Sequence, residues 1–345
     1  MLSESNRTRR YWHPRSASYA YYGIQTLRVT KNFPNYKGSP VHDEMIIAMA
    51  MVKQAAVHAN LDRGLIPAPI GKFIIKAADE IISGKHSHHF IVDYIQGGAS
   101  HSLNTNMNEV LANRSLDLML EDKGNYAVIH PDHHVNLSQS PGPIFTASLQ
   151  IACCRLAQAL MHNMSLFITD ALLTMKDEMK QLRHAVSNLQ TIRLEATAED
   201  DAHTQSEFAE RTILYLSQLT GMELQLERNQ YPQINMSIFT QLSSSLKNIA
   251  TALSRLCTEV RQDGTTPRSG LTLHTKPEKI NALNQIAFQV IGFNHGISLA
   301  AEAELNDQTT TPPLIAYNLL ESLYLLVQGV SSFISHSKEG AATTL

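Results

Sequence analysis

Cysteine is scarce: the 345 residues include only Cys153, Cys154 and Cys257. Three thiols, two of them adjacent, cannot staple a chain of this length, so the pattern suits a reducing compartment and a fold held by its core. Glycine (16) and proline (13) are also sparse. Long stretches contain neither, which works against strands and tight turns and favours helices. No surplus of one charge exists, because 28 Lys and Arg stand against 31 Asp and Glu. A dedicated nucleic-acid binder would carry a basic excess. No signal-peptide pattern opens the chain: residues 1–15 are polar, with Arg7, Arg9, Arg10 and Arg15 around Trp12, and read as a solvated basic tail. Nor is there a run of about 20 apolar residues, since the greasiest stretches are broken by Asn284, Gln289, Asn294, His295, Glu321 and Gln328. These absences predict a soluble, cytoplasmic protein with no membrane and no nucleic-acid partner.

What is present is enough to bury a core: 43% of residues are hydrophobic and 17% charged, which at this length suggests about two domains. Four segments carry a helical 3–4 spacing of apolar residues. The first runs from Leu149 through Leu156, Leu160, Met164, Met175, Met179 and Leu182 to Leu189, as one very long helix or an antiparallel pair. The others are Ile238–Val260, Ile280–Leu305 and Leu314–Phe333. Gly264 to Pro267 and Pro312-Pro313 supply stops. Before them, Met45–Asn60, Ile70–Ser83 and Asn104–Glu121 read as shorter helices, followed by a loop-rich stretch from Gly124 to Pro143. The expected fold is all-α: a tail (1–17), a small helical N-terminal domain (18–125), a shortened bundle of long helices (126–336) and a final tail (337–345).

Two polar loops are dense in hydrogen-bonding groups. In the first, Gln96-Gly97-Gly98-Ala99-Ser100-His101-Ser102 leads into Asn104 and a helix. Glycines at the entrance, a Ser N-cap and free backbone N–H groups make either an anion site or an ordinary capped helix start. The second runs from His130 to Pro143.

Tyr21-Tyr22-Gly23-Ile24-Gln25-Thr26, Gln96-Gly97-Gly98-Ala99, NTNMNEVLAN (104–113) and HPDHHVNLSQS (130–140) resemble the aspartase and class II fumarase superfamily. Pro267-Arg268-Ser269-Gly270-Leu271, NQIAFQVIG (284–292), Ala300-Ala301-Glu302-Ala303 and Leu319-Leu320-Glu321-Ser322 continue it in order, so the resemblance spans about 18–333. It implies an all-helical fold, association through the bundle as a homo-oligomer (dimer or tetramer), and active sites built from three chains. The implied chemistry is elimination from a small carboxylate-bearing molecule: a base takes the proton beside a carboxylate, and an enediolate-like intermediate is stabilised by hydrogen-bond donors. No cofactor is implied. On the matching positions, Ser100, Ser102, Asn104, His134, Asn136 and Ser140 are the substrate-binding candidates.

The sequence also departs from that family. Its glycine-threonine pair is replaced by Ser100 and His101, and its three-residue carboxylate clamp is reduced to Ser140, followed by Pro141 and Gly142. Pro141 brings no N–H and Gly142 no side chain. The family's threonine-histidine loop between two long helices has no counterpart in Met164–Ala185. Its glycine-serine-serine base loop is absent between Gly270 and Asn284, and Glu199-Asp200-Asp201 stands at a Gly-rich turn. A third domain is not expected. The reading is a scaffold kept while the ordinary aspartase or fumarase base was lost, with His101 as a replacement catalytic base, or else a pseudoenzyme serving as scaffold, sensor or partner.

Histidine is plentiful, 16 in all. His86, His88 and His89 offer imidazoles for a metal but no carboxylate or thiolate at ligand spacing, so exposed or hydrogen-bonding roles are preferred. His162, His184, His203, His295 and His336 read as surface residues. Cys153, Cys154, Met164, Met175 and Met179 read as core filling.

Overall fold

The computed structural model describes residues 19–32, 38–95, 97–166, 175–195, 202–227, 236–263, 276–304 and 311–342. Among them the chain is all-α, as expected; its strands are two dipeptides. It divides into two compact units, Met1–Phe145 with Leu194–Gly221, and Thr146–Arg193 with Met222–Leu345. Composition placed the divide after residue 125; here it passes inside a helix, and 194–221 returns to the first unit. The cause is long-range packing, which composition does not report.

The first unit contains α1 (Ile24–Thr30), α2 (Asp43–Asp62), α3 (Ala68–Ile82), α4 (Ala99–Leu118) and, after a gap in sequence, α7 (Ala202–Thr220). Helix α2 is buried along most of its length. Ala56 and Ala59 on α2 let Phe208 of α7 approach closely, and all three are fully buried. At the rim of that contact Asp62 accepts from Arg211 Nη1 (3.1 Å) and Tyr215 Oη (2.8 Å), while His58 stacks on Tyr215. His42 caps α2 by accepting from Glu44 N. Its C-terminus turns at Gly64, whose φ of +69° is open to glycine at no steric cost.

The second unit contains α5 (Pro141–Leu166, which starts in the first unit), α6 (Lys176–Asn188), β1 (Thr191–Ile192), β2 (Gln225–Leu226), α8 (Ser237–Asp263), α9 (Pro277–Glu304) and α10 (Pro312–Ala342). The long period from Leu149 to Leu189 therefore belongs to two helices, α5 and α6. They run antiparallel: Gln150 Nε2 donates to the carbonyls of Leu189 (3.1 Å) and Thr191 (2.8 Å), and Cys154 Sγ lies 4.0 Å from Val186 O. Residues 167–174, within the Met164–Ala185 stretch that lacks the family's threonine-histidine loop, lie outside the described residues, as do 199–201, 264–275 and the basic tail. Pro141, Pro277 and Pro312 each hold the first position of their helix, where a missing N–H costs nothing. Strands β1 and β2 pair in parallel, Thr191 opposite Gln225.

Helices α5 and α10 are long and apolar enough to cross a membrane by length and composition, with mean hydropathy 1.4 and 1.2, but 72% and 56% of those windows are buried inside the protein. That burial marks core helices. Cys153, Cys154 and Cys257 are buried free thiols; burial raises all three pKa values, Cys154 to about 12 and Cys257 to about 11. Met164, Met175 and Met179 are likewise buried, and His162, His184 and His295 are exposed.

Candidate functional site

Helix α4 carries the NTNMNEVLAN motif in its middle, starting a turn earlier than the sequence suggested. Ser102, Asn104, Asn106, Asn108, Glu109, Asn113 and Ser115 are all buried. Buried polar groups need partners, and on successive turns most of these hold a neighbouring segment. Asn106 takes Ile91 N and donates to His89 O, both at 3.1 Å. Glu109 accepts from Gly23 N (2.8 Å), Gln25 N (3.1 Å), Thr26 N (3.0 Å) and Thr26 Oγ1 (2.6 Å), so it caps the N-terminus of α1. Asn113 binds Tyr21 O, Gly124 N and Tyr126 Oη. Arg114 grips Glu80 through Nε (2.6 Å) and Nη2 (2.9 Å) and also pairs with Asp117. That fork pushes the Glu80 carboxyl down to about 2 and the guanidinium up. Much of the most recognisable motif is thus architectural, while Asn104 Oδ1 and Asn108 Oδ1 are buried with no hydrogen-bond partner among the described residues.

The start of α4 is different. Gly97 adopts φ +58°, and Gly98 occupies the N-cap with no side-chain cap bond, in place of the serine cap anticipated. Gly98 thus offers the first backbone N–H groups no side chain, and His101 N donates to Gly98 O (3.1 Å), at the end of the helix where the dipole favours an anion. On that turn Ser100 is half-buried, His101 is exposed and Ser102 is buried.

The second loop is fixed by its own bonds. His130 Nδ1 accepts from Asp132 N and His133 N, capping the turn Pro131–Val135, and His130 N donates to His134 Nδ1 at 2.8 Å. Burial, then His130 and His133, lower the His134 pKa. Asn136 Oδ1 receives Lys53 Nζ (2.7 Å) and Asn104 Nδ2 (3.2 Å), and its Nδ2 donates to Gln139 O (3.1 Å). Gln139 Nε2 returns to Val135 O, and Asn60 Nδ2 holds Leu137 O. Ser138 is buried at φ +60°, and half-buried Ser140 opens α5. Of the expected substrate-binding residues, Asn104 and Asn136 therefore bind each other, and His134 serves its own loop. Ser100, His101 and Ser140 keep exposed surface.

Lys53, Asn60 and the anchoring role of Glu109 were not anticipated. The available signal was Lys53 itself, a lone charge inside the apolar run Met49–Ala59. Its side chain is wholly buried. Desolvation pushes its pKa far down, and Asp132 pushes it partly back.

His86, His88 and His89 form a ring stack around Tyr21. The His88 and His89 centroids lie 4.0 Å apart, with His86 at 5.9 Å from His89. Tyr21 N donates to His89 Nδ1, Tyr21 Oη to Asp117, and His86 Nε2 lies 2.9 Å from Glu80. Among the described residues no group of three or more His, Cys, Asp or Glu is arranged to hold a metal.

Residues 15–172 match a protein-family profile described as Lyase. The aspartate ammonia-lyase of Bacillus subtilis is 32% identical, covering 93% of this chain and 78% of that protein. The chain belongs to the aspartase/fumarase superfamily. The aspartate ammonia-lyase of Helicobacter pylori (strain 26695) is 31% identical, with 93% and 79% covered. A fumarate lyase:delta crystallin from Brucella melitensis, in native form, superposes with a TM-score of 0.79 at 28% identity over 92% of this chain and 83% of that one. A class II fumarase from Schistosoma mansoni, at 21% identity and TM-score 0.77, shares the fold. The Bacillus alignment runs over 374 positions, more than the 345 residues present. Relatives in the superfamily thus carry internal residues that this chain lacks.

Proposed function

We propose that this protein is a diverged member of the superfamily that binds a small carboxylate-bearing metabolite at the start of α4 and carries out lyase-like, isomerase or cyclase chemistry on it, and that it does not deaminate aspartate or hydrate fumarate. The observation that carries this reading is His101: an exposed imidazole on an uncapped helix start. A neutral imidazole there can take the proton beside a carboxylate, and the helix N–H groups with Ser100 and Ser140 can stabilise the resulting charge. The aspartase route is set aside because the glycine-serine-serine loop is missing between Gly270 and Asn284, and Pro141 and Gly142 stand in the carboxylate clamp. Assembly as a homo-oligomer through the long helices, in the cytoplasm, belongs to the same reading. We expect succinate to raise the melting temperature of the wild type, this shift to disappear in His101→Ala, and fumarate absorbance to stay constant with either fumarate or L-aspartate. Brisk turnover of either acid would refute the proposal.

A second reading, a pseudoenzyme acting as scaffold, sensor or partner, is favoured by the same two losses. Absence of any thermal response to succinate, aspartate, fumarate or related acids would select it.

A further inference from the structure

We propose that Lys53 is a positioning residue for the carboxylate site: by holding Asn136 it registers the 135–140 turn, and with it Ser140, against the start of α4. The inference rests on the carboxylate-binding reading above and adds to it a residue that no ligand touches.

Lys53 lies in the middle of α2 with no exposed surface. Burying an amine without partners costs several kcal/mol, so such a residue persists where its hydrogen bonds are used. Its bond is to Asn136 Oδ1 at 2.7 Å, and the same oxygen takes Asn104 Nδ2 at 3.2 Å. One amide oxygen thus joins three elements: α2, the turn, and α4 two residues beyond Ser102. Asn136 Nδ2 then fixes Gln139 O, directly before Ser140. A second tie from the same face of α2, Asn60 Nδ2 to Leu137 O two turns on, stops the turn from rotating about the first. Aligning two segments to within a fraction of an ångström is what a shared carboxylate site demands. Asn136 Oδ1 already has both lone pairs in use, so its part is to transmit position.

The test compares Lys53→Met with Gln54→Leu, a change at the neighbouring residue whose amide binds Asp79 and Ile75 O away from the turn. Succinate affinity is measured by calorimetry, at temperatures where each variant is fully folded. We expect Lys53→Met to weaken succinate at least tenfold and Gln54→Leu to leave affinity within twofold while lowering the melting temperature. Equal succinate binding by Lys53→Met and wild type would overturn the role of Lys53 and leave the carboxylate reading intact. If the wild type binds no succinate, that reading falls, and this inference with it. Should Lys53→Met fail to fold, the pair Lys53→Met with Asn136→Leu removes the amine together with its acceptor, at the cost of freeing Asn104 Nδ2 and Gln139 O; it is expected to fold and still not bind. Wild-type affinity in the pair, or failure of both variants to fold, would make Lys53 a residue of stability alone and overturn the proposal.

Discussion

Helix α4 and the α8–α9 pair solve opposite problems. In α8 and α9 the buried positions are apolar at heptad-like spacing: Phe239, Leu242, Leu246, Ile249, Leu253 and Cys257 against Ile280, Leu283, Ala287, Val290 and Ile297. Among the described residues, polar bonds between these two helices enter at two levels, Asn294 Nδ2 to Ser243 Oγ (2.8 Å) and Ser254 Oγ to Asn284 Oδ1 (2.6 Å). Those two bridges fix an antiparallel register that grease alone would leave sliding. In α4 four buried asparagines and a glutamate are interleaved with buried Leu103, Met107, Val110, Leu111 and Leu116, and the polar set bonds to backbone atoms of neighbouring segments. One arrangement packs helices; the other tells loops where to lie. The difference matters because non-directional apolar contacts tolerate substitution of similar volume, whereas a hydrogen-bonded hub fails when one atom changes.

The sharpest way to break this contrast is Glu109→Gln. The isostere places an NH2 among three backbone donors and a hydroxyl, so a loss of about 3 kcal/mol or more is expected. Urea midpoints measure it, and hydrogen exchange should localise the loosening to residues 23–30. A loss under about 1 kcal/mol would mean that the hub is no more demanding than ordinary packing. Ser243→Ala in α8 should cost less, about 1–2 kcal/mol, from one stranded amide. Ser243→Ala with Asn294→Leu should return close to wild-type stability, as a level of the bundle that can be made apolar would.

The smallest effect at neutral pH sharpens the comparison by acid. Burial, then His88, His86 and Lys123, depress His89 from 6.5 to about 3. A histidine kept neutral by the fold contributes stability fully above its unfolded pKa and loses it as pH falls. Melting temperature should therefore fall from pH 6.5 downward, before Glu80 contributes any loss below about 4.5. His89→Leu should flatten that slope; an unchanged slope would clear His89 of responsibility.

Much of the fold could be read in advance. The apolar periods placed α2, α3, α8 and α9 to within a few residues, whereas α10 runs nine residues past Phe333 and Pro312, expected as a stop, opens that helix. The spacing over 149–189 fits one helix or two, because the apolar period carries on from α5 to α6, two antiparallel helices that share a core. The candidate site was half legible. Gly97-Gly98 and Ser102 announced a helix start, and His101 stood out as a foreign imidazole. Asn104, His134 and Asn136 look like ligand-binding groups in sequence, and the structure adds bonds that they make to neighbouring backbone and side chains. An asparagine facing a substrate and one facing a backbone carbonyl are the same letter, and only the identity of the partner separates them.

The sequence by itself determined the helices and the family, since both reside in local spacing and in short ordered motifs. Tertiary structure alone decided that residues 194–221 rejoin the first unit, that Glu109 caps α1 from 83–86 residues away, and that Lys53 grips Asn136. Those pairings join positions far apart in the chain, and nothing in the intervening residues encodes the distance between them.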